Sequence, residues 1–168
     1  MPKPELPPFE GDRIILRLLE KTDLPLTLSW RNQDDIRKWF LNTDVILKEN
    51  HVAWFERYRQ LDHDLVFIIL AKDLDNIPVG QISLYDINWS AKTAEFGRLM
   101  IGEPLAKGKG YAKDATRYLL ECGIHSLGLK KISLEVKDDN EIAIAIYRTV
   151  GLTEISRKNG LVVMSIQA

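Results

Sequence analysis

The 168-residue sequence predicts one mixed α/β domain, in which a largely antiparallel sheet is flanked by helices. Strand-like apolar runs at 65–71, 78–85 and 93–101 are separated by short polar turns, as in consecutive hairpins. A helix-like run then leads to another strand-like run at 131–136, and this order predicts a strand–helix–strand crossover between parallel neighbours. Because no repeat, long linker or low-complexity segment interrupts the chain, the domain is expected to cover 1–168.

The N-terminal third predicts a strand and two helices that precede the hairpins. Residues 1–11 hold four of the seven prolines and are expected to form a loose lead-in. Residues 13–19 fit a strand, and apolar positions at helical spacing predict helices over 24–40 and 48–61. Pro25 suits only the first turn of the first helix.

The C-terminal third predicts two helices, the crossover strand and a closing hairpin. Apolar residues recur at helical spacing through 111–126, which indicates an amphipathic helix. The last helix is short, covers 141–150 and ends before Gly151, a residue typical of helix C-termini. Strand-like runs at 152–156 and 161–166 flank a polar turn that contains glycine, and this arrangement predicts a hairpin.

Composition and charge indicate a soluble cytoplasmic protein that binds neither nucleic acid nor membranes. Apolar residues make up 45% and charged residues 28%, and the net charge is −1. The longest apolar run, 65–71, is too short to cross a bilayer, and the proline-rich start lacks the apolar segment of a signal peptide. The single cysteine, Cys122, excludes an intrachain disulfide. It lies on the apolar stripe of a helix, where a buried, inert thiol is expected rather than a reactive nucleophile.

The loop at 107–112, Lys-Gly-Lys-Gly-Tyr-Ala, predicts a diphosphate site. Gly108 and Gly110 allow backbone N–H groups to approach a ligand closely, and the helix that follows points its free N–H groups at the same place. Lys107 and Lys109 add positive charge. A nucleoside-triphosphate loop would need serine or threonine where Gly110 stands, and the dinucleotide fingerprint lacks its third glycine.

Three segments of the second half resemble a known family in their order and spacing. They are Ala94-Glu95-Phe96-Gly97 leading to Met100-Ile101-Gly102, the 107–112 loop, and Asn140-x-x-Ala143-x-x-x-Tyr147-x-x-x-Gly151-Leu152. Together they resemble the GCN5-related N-acetyltransferase (GNAT) superfamily, and the layout of the whole chain is similar to its RimJ/RimL-like branch. The resemblance implies the GNAT fold, a single mixed and splayed sheet in which two parallel strands separate to admit a cofactor. Lys107 departs from the glutamine or arginine usual at its position but keeps a positive charge.

The resemblance implies that acetyl-coenzyme A is the co-substrate. Backbone N–H groups of the 107–112 loop would hold its pyrophosphate. The strand end at 99–101 would pair with the pantetheine arm, whose amides resemble those of a peptide strand. Asn140 and Tyr147 would lie beside that arm. The implied cofactor-binding residues are Leu99, Met100, Ile101, Lys107, Gly108, Lys109, Gly110, Tyr111, Ala112, Asn140 and Tyr147.

Acetyl transfer from a thioester to an amine needs a neutral amine, a stabilised oxyanion and a proton for the leaving thiolate. By the resemblance, Tyr147 is the general acid that protonates the thiolate, and a packed helix aromatic is the alternative. Glu95 is the candidate base, directly or through water, although a rim carboxylate paired with a lysine fits equally well. No metal is expected, because His51, His63 and His125 lack metal-ligand spacing.

The acceptor site is expected to come from the N-terminal half. The segments Ser29-Trp30-Arg31-Asn32 and Ile36-Arg37-Lys38-Trp39 are similar to those of acetyltransferases that modify amino groups of nucleotide-linked sugars. The cationic side chains of these segments could bind the diphosphate, and a tryptophan ring could stack on the base or the sugar. The alternative is an ordinary helix with buried tryptophans and solvated cations. The leading expected acceptor is therefore the amino group of a nucleotide-linked amino sugar, and the candidate substrate-binding residues are Trp30, Arg31, Arg37 and Trp39.

Other acceptors stay open at this point. The RimJ/RimL-like layout would fit a protein N-terminus, and a polyamine would fit a pocket that contains Asp34, Asp35 and Asp44. In every case the partner is an amine, carried by a small molecule or by a protein. A non-catalytic coenzyme A sensor on the same fold is the alternative of a different class. The sequence leaves open whether the protein is a monomer or a homodimer.

Overall fold

The chain forms one mixed sheet with helices on both faces. A computed structural model describes residues 3–168, and within them eight strands form a single sheet in the order β1-β2-β3-β4-β5-β6-β8-β7. Only β5 and β6 pair in parallel, so the mixed, mostly antiparallel sheet is confirmed. The strands are β1 (Phe9–Glu10), β2 (Ile14–Leu18), β3 (Leu65–Ala71), β4 (Ile77–Asn88), β5 (Thr93–Ile101), β6 (Lys131–Lys137), β7 (Thr153–Lys158) and β8 (Leu161–Gln167).

The helices of the described residues are short. They are α1 (Leu24–Arg31), α2 (Asp34–Arg37), α3 (Lys48–Tyr58), α4 (Tyr111–Glu121) and α5 (Glu141–Thr149), with a π-helical continuation of α4 at Cys122–Ser126. Short 3-10 turns lie at Lys21–Asp23, Lys72–Leu74 and Pro104–Ala106. Among residues 3–168, no helix has the length and apolar character needed to cross a membrane.

The single helix predicted over 24–40 is wrong, because the chain leaves helical geometry between α1 and α2. Gln33 there has an extended backbone, with φ −63° and ψ 136°. The Asn32 side chain bonds the main chain of Ile46 twice: Nδ2 donates to the carbonyl at 2.9 Å, and Oδ1 accepts from the amide at 2.8 Å. These bonds to a distant segment hold the break in place, and helical periodicity carries no sign of them.

Smaller differences concern the ends of elements. Part of the expected loose lead-in is ordered, since β1 pairs with β2. Strand β4 continues past 85 to Asn88, and the helix predicted over 111–126 becomes π-helical at Cys122. The closing hairpin forms as predicted, and β8 lies next to β6 while β7 occupies the exposed edge.

The core lies on both faces of the sheet. On one face, α4 and α5 pack onto the central strands through buried side chains such as Leu119 and Ile144. On the other face, α3 packs onto β3 through Phe55. Strand β3 is buried on both sides, with Val66 and Phe67 at most 1% exposed, as its continuously apolar sequence predicts.

The sheet splays between its two parallel strands. Strands β5 and β6 pair only at their beginnings, from Thr93 opposite Lys131 to Glu95 opposite Ser133. Immediately after this pairing ends, β5 contains a bulge, where the register against β4 shifts between Gly97 and Met100. A bulge bends and twists its strand, so β5 turns away from β6 and a cleft opens between them. The splayed GNAT-type sheet is thereby confirmed.

Candidate active site

A cavity of about 700 Å³ fills the cleft between β5 and β6. Its walls come from the second halves of these strands, the first turns of α5, and the segment 35–42 that follows α1. Of the predicted site residues, some line this cavity directly: Arg31, Trp39, Leu99, Met100, Ile101, Ala112, Asn140 and Tyr147. The other predicted site residues do not line this cavity: Trp30, Arg37, Glu95, Lys107, Gly108, Lys109, Gly110 and Tyr111.

The glycine loop has the geometry of an anion cradle. Gly108 and Gly110 adopt left-handed backbones, with φ +73° and +85°, and α4 begins directly after them. A side chain placed on Gly108 would meet no heavy atom within 4 Å, so the space in front of this glycine is open. Open space, left-handed glycines and a helix N-terminus together fit a pyrophosphate group.

Lys107 holds the loop to α2. Its Nζ donates to Gln33 Oε1 at 2.7 Å and to Asp35 Oδ2 at 3.0 Å. The hydrogen bond from Lys107 lowers the pKa of the Asp35 carboxyl. The ammonium is therefore partly neutralised, and its first role in this geometry is to fix the loop.

The Tyr111 side chain braces the loop from behind. It is buried, and its hydroxyl donates to Asp73. The Arg13 guanidinium lies 4.0 Å from the centre of the Tyr111 ring and bonds Asp114 at 2.9 Å. The ring and the hydroxyl of Tyr111 are therefore both engaged in contacts within the protein.

Asn140 and Tyr147 meet the cavity from the α5 side. Asn140 caps this helix, because its Oδ1 accepts from the Ala143 amide at 3.2 Å. The Tyr147 side chain is 7% exposed, and its ring packs edge-on against Phe96 with the ring centres 5.7 Å apart. Burial raises the pKa of the Tyr147 phenol, so the hydroxyl stays protonated at neutral pH and can donate a hydrogen bond.

Carboxylates gather beside the point where β5 and β6 separate. Glu95 is half-buried and stands opposite Tyr85 in the β4–β5 pairing. Its pKa is raised, first by burial and then by the negative charges of Glu135 and Asp86. Glu135 and Tyr85 line the cavity. The three carboxylates therefore lie close enough to interact, and Glu135 brings a negative charge to the cavity wall.

Sequence reasoning missed Glu135, although a signal was present. Along β6, Lys131, Ser133 and Glu135 alternate with buried apolar residues. Parallel pairing places this polar face next to Glu95. Glu135 lies on the polar side of the strand that borders the predicted cleft, so the sequence alone could have suggested it as a site residue.

The residues predicted for the acceptor are only partly brought together. Trp30 is 2% exposed and packs against Gly102, so its ring belongs to the core. Arg37 bonds Asp34 at 2.6 Å and the Thr43 carbonyl at 3.0 Å, outside the cavity wall. Arg37 pairs with Asp34 and Lys107 with Asp35, although both carboxylates stay exposed and Asp35 lines the cavity.

Arg31 and Trp39 do reach the cavity. The Arg31 guanidinium stacks 4.0 Å from the centre of the Phe40 ring, and its Nη2 donates to the Asn42 carbonyl at 2.6 Å. Its buried Nη1 has no hydrogen-bond partner within the described residues.

The structure offers little to other chemistries. Within residues 3–168, no three His, Cys, Asp or Glu side chains come together as a metal site. Cys122 is buried, and burial raises the pKa of its thiol, which disfavours the nucleophilic thiolate.

Fold and cavity together fit an acyltransferase, with an open glycine loop beside a cleft between two parallel strands that separate. The family model of the acetyltransferase (GNAT) domain matches residues 13–153. The chain therefore belongs to the GNAT family and is an N-acetyltransferase.

Relatives of known name agree with this assignment. The chain is 30% identical over 138 residues to spermidine N(1)-acetyltransferase of Escherichia coli K12, covering 82% of this chain and 72% of that protein. It is 29% identical over 147 residues to α/β-tubulin-N-acetyltransferase 9 of Drosophila melanogaster, with the same shares covered.

Solved structures share the fold. Spermidine N-acetyltransferase from Vibrio cholerae, in complex with CoA and spermine, superposes with a TM-score of 0.82 at 23% identity, over 92% of this chain and 95% of that one. FdhC, a nucleotide-linked sugar GNAT, superposes with a TM-score of 0.79 at 23% identity, over 92% and 86%. At such identities the likeness concerns the fold alone.

Proposed function

We propose that the enzyme uses acetyl-coenzyme A to acetylate a primary amine of a small polycationic acceptor, such as a polyamine. The observation that carries this proposal is the carboxylate cluster of Glu95, Glu135 and Asp86, which interact electrostatically and of which Glu135 lines the cavity. The similarity to spermidine acetyltransferases supports the same acceptor class.

The donor half of the site fits coenzyme A. The open, left-handed glycines of the 107–112 loop suit its pyrophosphate. From Phe96 onward the β5 edge that faces β6 has no strand partner among residues 3–168, so its backbone groups are available to an amide-bearing arm. Acetyl-coenzyme A would supply the thioester, and Asn140 and Tyr147 would border its reactive end.

The chain's own residues then carry the proton transfers. Glu95, whose pKa is raised by burial and by neighbouring carboxylates, removes a proton from the acceptor ammonium directly or through water. The backbone N–H groups around Met100 stabilise the oxyanion. Tyr147 donates its proton to the departing thiolate and is the general acid of the site.

Glu135 serves acceptor binding in this proposal. It stands on the cavity wall, where it can pair with a second ammonium of a polyamine while the reacting amine lies near Glu95. A monoamine has no second charge for this contact, so the enzyme should discriminate between a diamine and a monoamine of equal length.

A nucleotide-linked amino sugar is the second candidate acceptor. It is favoured by Arg31, whose Nη1 lacks a partner, and by the Trp39 ring on the cavity wall. The core position of Trp30 and the paired state of Arg37 weigh against it. A protein N-terminus is a third acceptor that the same chemistry would serve.

The test is thiol release from acetyl-coenzyme A with 1,4-diaminobutane, 1-aminobutane, spermidine, UDP- and TDP-linked amino sugars, and peptides with free N-termini. We expect the diamine and spermidine to be the better substrates. Glu135→Gln should lower kcat/KM for the diamine about tenfold and leave the monoamine nearly unchanged, because only the diamine loses an ion pair.

The matched control is Glu121→Gln, a change at an exposed carboxylate of α4 outside this cavity. This change should leave kcat/KM unchanged for both the diamine and the monoamine. Turnover confined to the sugars or to the peptides would overturn the polyamine proposal while leaving acetyl transfer to an amine intact.

A further inference from the structure

Arg98 has an unusual backbone for a residue inside a strand. It lies in β5 with φ +53°, a left-handed conformation that L-residues rarely adopt, and it occupies the bulge where β5 leaves β6. Arg98 is one of the residues that line the cavity. Strained residues persist only where their surroundings hold them in place, so the contacts of Arg98 indicate what the strain serves.

A buried carboxylate anchors the Arg98 side chain. Nη1 bonds Asp64 Oδ1 at 2.7 Å and Nη2 bonds Asp64 Oδ2 at 3.2 Å, a two-pronged pair that fixes both the position and the plane of the guanidinium. Asp64 is only 7% exposed. The Arg98 guanidinium also lies 4.5 Å from the centre of the ring of Tyr85, a residue that lines the cavity.

Side chains of β4 hold the backbone of the same bulge. Ser83 Oγ donates to the Gly97 carbonyl at 3.1 Å, and Gln81 Nε2 donates to the Arg98 carbonyl at 3.3 Å. The Tyr85 ring closes over Gly97, where an added Cβ would lie 3.0 Å from its Cε1. The bulge, the ring of Tyr85 and the Arg98–Asp64 pair therefore form one packed unit.

We propose that Arg98 is a positioning residue for the acceptor. Anchored on Asp64, it holds the Tyr85 ring and the β5 bulge in the arrangement that faces the acceptor amine. The placement of the amine beside Glu95 and Glu135 is taken from the proposed function.

Asp64 has a second effect in this arrangement. It neutralises the guanidinium, so the part of the cavity near Tyr85 and Glu135 remains favourable to a cation. Without this carboxylate, an unpaired positive charge would stand behind Tyr85, beside the cavity, and repel an ammonium group.

The test compares this pair with a matched pair elsewhere. Arg98→Lys keeps the charge but loses the two-pronged geometry, and Asp64→Asn keeps the shape but loses the charge. The control is Arg17→Lys, because Arg17 forms an equally two-pronged pair with the buried Asp23, at 2.8 Å on both prongs, outside the cavity.

We expect Arg98→Lys and Asp64→Asn to raise the KM of the best amine about tenfold and to change the KM of acetyl-coenzyme A by less than about twofold. Arg17→Lys should lower the melting temperature comparably and leave both KM values unchanged. The proposal is overturned if the amine KM of Arg98→Lys stays at the wild-type value, or if Arg17→Lys raises it equally.

A readout independent of turnover is hydrogen–deuterium exchange of the segments 80–86 and 96–101. Exchange in both should be faster in Arg98→Lys than in the wild type or Arg17→Lys, and unchanged exchange would contradict the proposal. The acceptor class is decided by which amines the wild-type enzyme acetylates. The role of Arg98 is decided by the ratio of the amine KM of the variant to that of the wild type. The two proposals can therefore fail separately.

Discussion

Replacing Tyr147 with phenylalanine removes one oxygen atom from the cavity and little else. The ring keeps its edge-on contact with Phe96. Within residues 3–168 the hydroxyl makes no hydrogen bond that the change would break. The free energy of unfolding should therefore change by less than about 1 kcal/mol.

Catalysis should respond far more strongly to this change. Loss of a positioned general acid lowers kcat by about 10²–10⁴-fold, which is about 3–5 kcal/mol of transition-state stabilisation. The KM of acetyl-coenzyme A should change little, because the pyrophosphate cradle is untouched. Initial rates of thiol release, measured together with a melting curve, give both quantities. A Tyr147→Phe enzyme that keeps kcat within about threefold of the wild type would refute the assignment of Tyr147 as the acid.

Four further substitutions test other parts of the structure. Because folding raises the pKa of Glu95, its ionised form destabilises the fold at neutral pH. Glu95→Gln should therefore raise the melting temperature at pH 7 but not below pH 4.5, the ordinary pKa of the group. The same change should lower kcat about 10²-fold. Gly102→Ala would place a Cβ 2.0 Å from Trp30 Cγ and should cost about 3 kcal/mol of stability by overpacking, seen as a lower denaturation midpoint. Gly108→Ala meets open space at φ +73° and should cost only about 1 kcal/mol, so equal losses for the two alanines would contradict the packing. Cys122→Ala should keep kcat within about twofold, and a trapped acetyl-thioester on the wild-type cysteine would contradict direct transfer.

The sheet was largely predictable because its signals are local. The limits of β5 match the predicted 93–101, since polar turns bound this strand on both sides. The continuous apolar run of β3 predicts a strand buried on both faces. The break after α1 was not predictable, because Asn32 is held by Ile46, a partner 14 residues away.

The donor side of the site was easier to predict than the acceptor side. The glycine loop and the Asn140–Tyr147 helix are contiguous motifs whose geometry follows from their own residues. Acceptor residues depend on which side chains the tertiary structure turns inward. Trp30 packs against Gly102 from a distant part of the chain. Glu135 reaches the cleft only because β5 and β6 pair in parallel and then separate.

Acetyl transfer to an amine is tested most directly by identifying the product. The enzyme is incubated with spermidine and acetyl-coenzyme A that carries a deuterated acetyl group, and the amine is examined by mass spectrometry while free thiol is counted. The account predicts one labelled N-acetyl group on the amine for every thiol released. Thiol release without an acetylated amine, or binding of coenzyme A with no turnover of any amine, would contradict it.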